Sequence, residues 1–282
     1  MFATNLSEIG HTTLLKHEIL TGNSPPVQCR PYRTSPKMKA EIDRQLDEML
    51  KYGIIEESIS NFSSPIVMVK KKTTTDTKYP EFRLYVDYRG LNSRIETQKT
   101  PTPRMDDIID ALGQTKPKFM TVLDLYSGYW QCEVHENSLH KTAFVTSDRH
   151  LQFRRLPFGL KNSPAFFVTL TNKILRGLTG KFCSIYIDDI IFWSQTFEEH
   201  LNHLSQIFDR FKNANLKLKP TKCHFAKPEV LYLGHIISKD GIKVDPSKTD
   251  AVKTFPVPRN QHDVRSFIGL CNYYRKFVKN YS

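Results

Sequence analysis

The chain has 282 residues, 39% hydrophobic and 25% charged, which is the composition of an ordinary globular protein with room for two or three subdomains. No apolar run approaches the roughly 20 residues needed to span a bilayer, and residues 1–10 lack the basic and apolar regions of a secretory signal. The formal net charge of +12 favours a polyanionic partner, and nucleic acid is preferred because no membrane anchor is evident.

The first third of the chain predicts a lead-in, a helix and a hairpin. Residues 1–34 contain several prolines and few consecutive apolar residues, so an extended N-terminal lead-in is expected. Ser35-Pro36 is an N-cap with a proline at the first helical position, and Gly53 ends the helix. Strands over 66–69 and 83–86 predict a hairpin with a lysine- and threonine-rich tip. The apolar stripe of the helix is Ile42, Leu46, Met49 and Leu50.

Aspartates stand at three informative places in the middle of the chain. Asp106-Asp107 precedes two isoleucines and is typical of the acidic first turn of a helix. Asp124 lies in an apolar run and is interpreted as an acid within a strand, with a helix N-cap or a structural acid as the alternative. Asp188-Asp189 separates two short apolar, β-branched runs, which predicts a buried hairpin with the Asp-Asp as its tight turn.

The Asp188-Asp189 pair is a candidate metal site. Two carboxylates at the tip of an apolar hairpin repel each other unless a cation compensates them. Paired hard oxygen ligands beside an aqueous cleft suit Mg²⁺ bound together with substrate phosphates. Aspartate is also a common turn residue, so the pattern alone leaves a solvated turn open.

The last third of the chain predicts a helix, further strands and a basic helical region. From Pro246 onward two helices are expected, separated by 256–258. Residues 239–282 carry nine lysines and arginines against four aspartates, with aromatic residues interleaved, a mixture suited to gripping a duplex backbone. The preceding helix is marked by Leu201, Leu204, Ile207, Phe208 and Phe211, and the strands by Leu216, Leu218, Val230, Tyr232, Ile236 and Ile237.

The five cysteines are odd in number, scattered, and include no Cys-x-x-Cys pair. Reduced thiols in an intracellular compartment, without secretion, are therefore expected. Cys223-His224 with His235 is the one hint of a zinc cluster, and its spacing fits no common zinc site.

Eight blocks of sequence, in order along the chain, resemble the reverse transcriptase domain of gypsy-type long-terminal-repeat retrotransposon Pol polyproteins. Within them, Tyr186-Ile187-Asp188-Asp189 is similar to the Tyr-x-Asp-Asp box of reverse transcriptases. Any one block is weak evidence, but eight in the family's order over roughly residues 10–282 leave little room for coincidence. The blocks are 82–92, 100–104, 123–129, 141–144, 156–164, 186–189, 232–235 and 266–275.

The resemblance implies an α+β protein with the right-hand polymerase arrangement of fingers, palm and thumb. An antiparallel palm sheet packed on helices is expected, in keeping with the alternation of helical and strand signals. No block resembles a ribonuclease H, protease or integrase domain, so a fragment of a polyprotein is expected. The implied divisions are fingers at 35–96 and 131–162, palm at 97–130 and 163–240, and a partial thumb at 241–282.

The resemblance also implies an RNA-directed DNA polymerase. Such an enzyme extends a primer 3′-hydroxyl with dNTPs on an RNA or DNA template by two-metal phosphoryl transfer. Asp124, Asp188 and Asp189 would be the catalytic carboxylates and would bind two Mg²⁺ ions, for which Mn²⁺ can substitute. A cytoplasmic retroelement particle, or the nucleus, is the expected location, and no membrane partner is expected.

The same resemblance assigns the substrate contacts. Lys71 is the matching triphosphate lysine, with Lys70 or Lys72 in its place if the hairpin register differs. Core packing remains the alternative for Tyr129 and Phe158. The implied dNTP-binding residues are Arg83, Lys71, Tyr129, Phe158 and Leu125. The implied template and primer contacts are Asp87, Arg89, Asn92, Tyr186, Tyr232, Leu233, Gly234 and His235.

Two other functions stay open on the sequence alone. The chain would be an inactive or domesticated nucleic-acid-binding remnant if catalysis has been lost while binding remains. It would be a two-metal nuclease if the paired acids cleave nucleic acid, although that reading leaves the finger and thumb blocks without a purpose. The oligomeric state and the identity of the primer are not predicted.

Overall fold

The computed structural model describes residues 1–70, 82–98, 100–101, 104–277 and 281. Contacts divide the chain into two units. Within the described residues, no helix combines the length and apolar character needed to cross a membrane. Unit 1 comprises Met1–Thr102, Asp124–Gly177 and Gln206–Lys222, and unit 2 comprises Pro103–Leu123, Leu178–Ser205 and Cys223–Ser282. The predicted finger, palm and thumb boundaries differ from this division and remain a prediction.

The helices begin and end close to their predicted signals. Ser35 caps the first helix by accepting a hydrogen bond from the Met38 amide, and Gly53 follows it with a left-handed φ of +64°. Asp106 and Asp107 lie in the first turn of the third helix, as predicted. The helices are α1 (Pro36–Lys51), α2 (Arg89–Asn92), α3 (Met105–Thr115), α4 (Ser163–Ile174), α5 (Phe197–Asn213), α6 (Pro246–Lys253) and α7 (Gln261–Tyr273).

Short strands make up the rest of the regular structure. Most pairs are antiparallel, and together with the helices they confirm the predicted α+β class. The strands are β1 (Thr12–His17), β2 (Ile55–Glu57), β3 (Ser64–Lys70), β4 (Phe82–Val86), β5 (Phe119–Leu123), β6 (Cys132–Val134), β7 (Phe144–Val145), β8 (His150–Phe153), β9 (Cys183–Tyr186), β10 (Asp189–Ser194), β11 (His224–Lys227), β12 (Glu229–Tyr232), β13 (His235–Ser238) and β14 (Gly241–Val244).

Unit 1 contains a five-stranded sheet in the order β2-β8-β7-β3-β4. The predicted hairpin is its β3–β4 pair, in which Val69 lies opposite Arg83. Buried aromatic side chains of β7 and β8, Phe144 and Phe153, pack with ring centroids 5.3 Å apart and form part of the core. The hairpin tip, which includes Lys71, lies outside the described residues.

The N-terminal segment contains the short helical turn Leu6–Glu8 and strand β1, and it is paired with distant parts of unit 1. Strand β1 pairs in parallel with β6, and Phe2 forms a bridge with Leu218. Ala3, Thr12 and Ile19 are buried. The sequence did not reveal this pairing, because the partners are more than a hundred residues away and composition carries no trace of them.

Unit 2 contains two antiparallel sheets, in the orders β11-β5-β10-β9 and β12-β13-β14. Strand β10 is central in the first sheet, and Ile190, Ile191 and Phe192 are fully buried. Helix α3 packs its apolar face on the strands, which matches the predicted antiparallel sheet on helices. The shared core consists of Ile108, Ile109, Leu112, Met120, Val122, Ile191, Val230, Tyr232 and Ile237.

A buried histidine of α5 is hydrogen-bonded beneath the first sheet of unit 2. His200 is 1% exposed, and its ring nitrogens contact Thr121 Oγ1 at 2.7 Å and Ser194 Oγ at 2.9 Å. Its ring stacks on Phe192, with centroids 4.9 Å apart. Burial lowers the pKa of His200 to about 4, with the nearby His203 adding to the effect and Glu199 opposing it.

Acidification is therefore expected to destabilise the protein through His200. In the unfolded chain His200 binds a proton below its ordinary pKa of 6.5. In the folded chain it stays neutral until the pH approaches its lowered pKa of about 4. Above pH 6.5 the ring is neutral in both states and the free energy of unfolding is not reduced. It should fall by about 1–2 kcal/mol as the pH drops to about 5. Urea unfolding of wild type and His200→Asn across this range measures the loss, which should be smaller in the variant.

The exposed His262, whose side chain is 90% accessible, provides the matched control. His262→Asn should leave the pH dependence of unfolding unchanged. Equal pH slopes for wild type and His200→Asn would contradict the prediction.

Candidate active site

The Asp188-Asp189 pair lies at the tip of the β9–β10 hairpin. Tyr186 pairs with Asp189, so the two turn residues are Ile187 and Asp188, and Asp189 begins β10. The prediction that both aspartates form the turn was wrong by one residue. Ile187 has a φ of +55°, a conformation that costs a β-branched residue on the order of 1–3 kcal/mol. Both aspartates are exposed, so their carboxylates are accessible to hydrated cations.

Asp124 was predicted to lie within a strand. In the structure it directly follows the end of β5 instead. Leu123, the last residue of β5, pairs with Ile190 of β10. The Asp124 side chain is 28% exposed, and its Oδ2 accepts a hydrogen bond from Lys222 Nζ at 2.8 Å. Such a partly exposed ion pair contributes only about 0–1 kcal/mol to stability. The pair nevertheless places the positive charge of Lys222 beside the Asp124 carboxylate.

The three predicted carboxylates match magnesium by their chemistry. Asp124, Asp188 and Asp189 offer the hard oxygen atoms that Mg²⁺ prefers. In the part of the chain that the structure describes, no group of three or more His, Cys, Asp or Glu side chains is assembled that could hold a metal ion. The Lys222 ammonium already contacts Asp124, so a cation would replace it there as the compensating charge.

Tyr129 lies in the short helical turn Gly128–Gln131 of unit 1. It is 8% exposed, and its ring packs against Phe158 and Phe167 with centroid distances of 5.2 and 5.3 Å. Leu125 is buried in the same unit, and Phe158 is half-buried. Tyr129 therefore packs in the core, which was the alternative left open by the sequence, and its contact with an incoming sugar stays a prediction.

The predicted finger residues of unit 1 fall into two groups. Arg83 is exposed on β4, where an anion can reach it. Arg89 forks onto Asp87 with contacts of 2.9 and 2.7 Å, and Tyr32 donates to the same carboxylate at 3.0 Å. The Arg89 hydrogen bonds hold the pKa of Asp87 far below its ordinary value. Asp87 and Arg89 thus form a local ion pair, although the arginine itself remains exposed.

Asn92 holds the chain next to Phe158 in place. Its Nδ2 donates to the Gly159 carbonyl at 2.8 Å, and its Oδ1 accepts from the Lys161 amide at 2.8 Å. The side chain thus fixes, by these two hydrogen bonds, the loop that follows Leu156-Pro157. This structural function was not anticipated, because the two segments are more than sixty residues apart.

The predicted primer-contacting residues form the β12–β13 hairpin of unit 2. Tyr232 pairs with His235, which leaves Leu233 and Gly234 as a two-residue turn with φ values of +48° and +75°. Burial raises the pKa of Tyr232, whose hydroxyl donates to the Asp189 carbonyl at 3.4 Å. The turn is therefore linked to the first residue of β10. Tyr186, also a predicted contact, packs against the same core.

Two tyrosines at the end of α7 hold this turn and were missed as site residues. Tyr273 donates to the Leu233 carbonyl at 2.9 Å, and Tyr274 to the Gly234 carbonyl at 3.4 Å. Both rings lie within 6 Å of the buried His235 ring. Their sequence signals were membership in the aromatic, basic C-terminal region and in the family-like block 266–275.

Residues 69–237 match the family model described as Reverse transcriptase (RNA-dependent DNA polymerase). The chain belongs to this family. It is 41% identical to the Retrovirus-related Pol polyprotein from transposon 297 of Drosophila melanogaster, over 96% of this chain and 25% of that protein. Its identity to the corresponding polyprotein from transposon gypsy of the same species is 37%, over 100% of this chain and 27% of that protein. The chain thus spans about a quarter of these curated relatives.

Solved structures of foamy viral protease-reverse transcriptases share the fold of this reverse transcriptase chain. One in complex with ds DNA has a TM-score of 0.86 and 29% identity, over 96% of this chain and 46% of that chain. Another in complex with an RNA/DNA hybrid has a TM-score of 0.77 and 28% identity, over 95% of this chain and 35% of that chain. The resemblance to the gypsy-type family and the right-hand polymerase fold are confirmed, while the roles assigned to individual residues remain predictions.

Proposed function

We propose that this chain is an RNA-directed DNA polymerase that extends a primer 3′-hydroxyl with dNTPs on an RNA or DNA template. The observation that carries the proposal is the reverse transcriptase fold with Asp188-Asp189 at the tip of the β9–β10 hairpin. Foamy viral relatives bound ds DNA and an RNA/DNA hybrid, and the net charge of +12 suits the same kind of partner.

Asp124, Asp188 and Asp189 are proposed to hold two Mg²⁺ ions, with Mn²⁺ as a substitute. When bound, these ions neutralise charge at the attacking oxygen and on the leaving pyrophosphate. The pairing of Leu123 with Ile190 supports the assignment, because Asp124 follows the first residue and Asp189 precedes the second along antiparallel strands. Lys222 would release Asp124 as a cation binds.

The incoming dNTP is proposed to bind to both charged and aromatic residues. The exposed Arg83 can fork onto phosphate oxygens, and Lys71 would add a second cation. Phe158 and Leu125 would flank the nucleotide, and Tyr129 would lie under its sugar. The packing of Tyr129 between Phe158 and Phe167 supports this role, because a rigid ring holds its position.

Contacts to template and primer are proposed for the residues that the family resemblance assigns. Asp87, Arg89 and Asn92 would lie near the template, and Tyr186 near the primer terminus. The β12–β13 turn, formed by Tyr232, Leu233, Gly234 and His235, would direct the primer 3′ end. Basic residues of α6 and α7 would neutralise duplex phosphates, which makes binding dependent on salt. A cytoplasmic retroelement particle, or the nucleus, is the proposed location.

Primer extension tests the proposed function. The protein, a DNA primer on a homopolymer RNA template, the matching dNTP and Mg²⁺ should yield extended primer, and chelation of the metal should abolish extension. Binding of the primer–template without extension would instead indicate a nucleic-acid-binding remnant. Cleavage of unprimed RNA would indicate a nuclease. The presence of all three aspartates and of the Leu156-Pro157-Phe158-Gly159 block supports the enzyme over the remnant.

A further inference from the structure

The side-chain amide of Gln131 joins two segments of unit 1 that are distant in the sequence. Gln131 is fully buried at the end of the turn that carries Tyr129. Its Nε2 donates to the Tyr126 carbonyl at 2.8 Å and to the Lys217 carbonyl at 2.9 Å. Its Oε1 accepts from the Lys217 amide at 2.7 Å. One side chain thus satisfies both backbone groups of Lys217 and one of Tyr126.

The two joined segments carry the two members of the Asp124–Lys222 ion pair. The Lys219 amide donates to the Asp124 carbonyl at 2.9 Å, and Leu125 forms a bridge with Leu218. Lys222 lies three residues beyond Lys219 and contacts the Asp124 carboxylate. The offset between segments 124–126 and 217–222 therefore determines where that carboxylate stands. Gln131 contacts the backbone of both segments and lies in neither of them.

The N-terminal segment closes this arrangement from another side. A Cβ atom built on Gly10 would meet Gln131 Oε1 and the Asn215 carbonyl oxygen, each at 2.3 Å. Only a glycine permits this approach, because any other side chain would collide with the Asn215 backbone. The N-terminal segment thus packs directly against the amide that makes the three hydrogen bonds.

We propose that Gln131 is a positioning residue for Asp124. Its amide sets the offset between the segment of Asp124 and the segment of Lys222, and so places the Asp124 carboxylate for cation binding. Gln131 touches neither metal nor substrate and acts through the backbone of Tyr126 and Lys217. This inference rests on the proposed function, because it requires that Asp124 bind a metal ion.

The test compares Gln131→Leu with Gln152→Leu in the full chain. Gln152 is the control, since its amide likewise joins distant segments through hydrogen bonds, to Glu56 at 2.8 Å and from Ser58 at 2.7 Å, and neither of these partners is a proposed site residue. Two quantities are measured: Mn²⁺ affinity by electron paramagnetic resonance without nucleic acid, and the half-saturating Mg²⁺ concentration in primer extension. Asp124→Asn provides the reference for a lost metal ligand.

Gln131→Leu should weaken Mn²⁺ binding and raise the half-saturating Mg²⁺ concentration by about tenfold, the low end for loss of an outer partner of a metal ligand. Gln152→Leu should change neither quantity, and both variants should bind primer–template like the wild type. Gln131→Glu keeps the side-chain length but cannot donate to the two carbonyls when ionised. It should weaken Mn²⁺ binding although it adds a negative charge.

The outcomes separate this inference from the proposed function. A wild-type protein that extends no primer overturns the polymerase proposal, while the Mn²⁺ titration still reports on Gln131. Folded Gln131 variants with the Mn²⁺ affinity and Mg²⁺ dependence of Gln152→Leu overturn the positioning role. Failure of both Gln131 variants to fold overturns it as well, because the residue would then serve folding rather than the placement of Asp124.

Discussion

Asp188→Asn should reduce primer extension with Mg²⁺ by at least about a hundredfold, the loss typical of a group that stabilises developing charge. The substitution keeps the shape of the turn residue at the tip of the β9–β10 hairpin and removes the negative charge of this proposed metal ligand. Primer–template affinity should change little, because phosphate contacts elsewhere carry it. Single-turnover extension and a binding titration of the same preparation measure the two effects separately.

The chain contains its own control for this substitution. Asp107 also belongs to an Asp-Asp pair and is exposed, but it lies in the first turn of α3. Asp107→Asn removes a favourable helix-end charge worth about 0.3–1 kcal/mol and should leave extension close to that of the wild type. Near-normal incorporation by Asp188→Asn would remove this residue from the metal site.

Tyr129→Val should admit ribonucleotides. A bulky planar ring under the incoming sugar leaves room for a 2′-hydrogen and collides with a 2′-hydroxyl. Loss of such a clash should lower the preference for dNTPs over rNTPs by more than about tenfold. Tenfold is the smallest discrimination that a pocket gains from excluding one extra methylene, and a steric clash can exceed it. Tyr129→Phe keeps the ring and should keep the preference. Incorporation efficiencies for matched dNTP and rNTP, measured side by side for the three proteins, give the ratio.

Core packing is the competing explanation for any Tyr129 defect, since the ring is 8% exposed. Phe144 separates the two explanations, because it is fully buried in unit 1 and packs against Phe153, with centroids 5.3 Å apart. Phe144→Leu should cost about 1–3 kcal/mol of stability without altering the sugar preference. An unaltered ratio in Tyr129→Val, together with lowered stability, would show a core residue and no gate.

Sequence reasoning succeeded where the deciding interactions are local. The cap at Ser35, the glycine at 53 and the period of the apolar stripe predicted α1, because capping and amphipathicity depend on residues a few positions apart. The same holds for the β3–β4 and β9–β10 hairpins, which are marked by short apolar runs on either side of a polar tip. The position of the turn at Ile187-Asp188 was missed by one residue, since the register of a hairpin depends on turn type and loop length as well as on the hydrophobic pattern.

The assignment of catalytic residues came from family resemblance rather than from local pattern. Asp-Asp is common in turns, and Asp106-Asp107 shows that the same pair also begins a helix. Only the order of eight family-like blocks along the chain distinguished Asp188-Asp189, as the candidate catalytic pair, from Asp106-Asp107. The family is now shown by the match over residues 69–237 and by relatives of 36–41% identity, whereas the individual roles await the experiments above.

By itself, the sequence determined the α+β class, the helix ends, the basic charge and the family of this protein. Only the tertiary structure showed that Lys222 contacts Asp124, that Gln131 joins Tyr126 to Lys217, and that Tyr273 holds the turn at Leu233. Apart from the Gln131–Tyr126 hydrogen bond, which spans five positions, these contacts join residues 40 to 98 positions apart. A hydrogen bond between such distant groups requires no repeated or complementary pattern at either position, so their proximity exists only once the chain has folded.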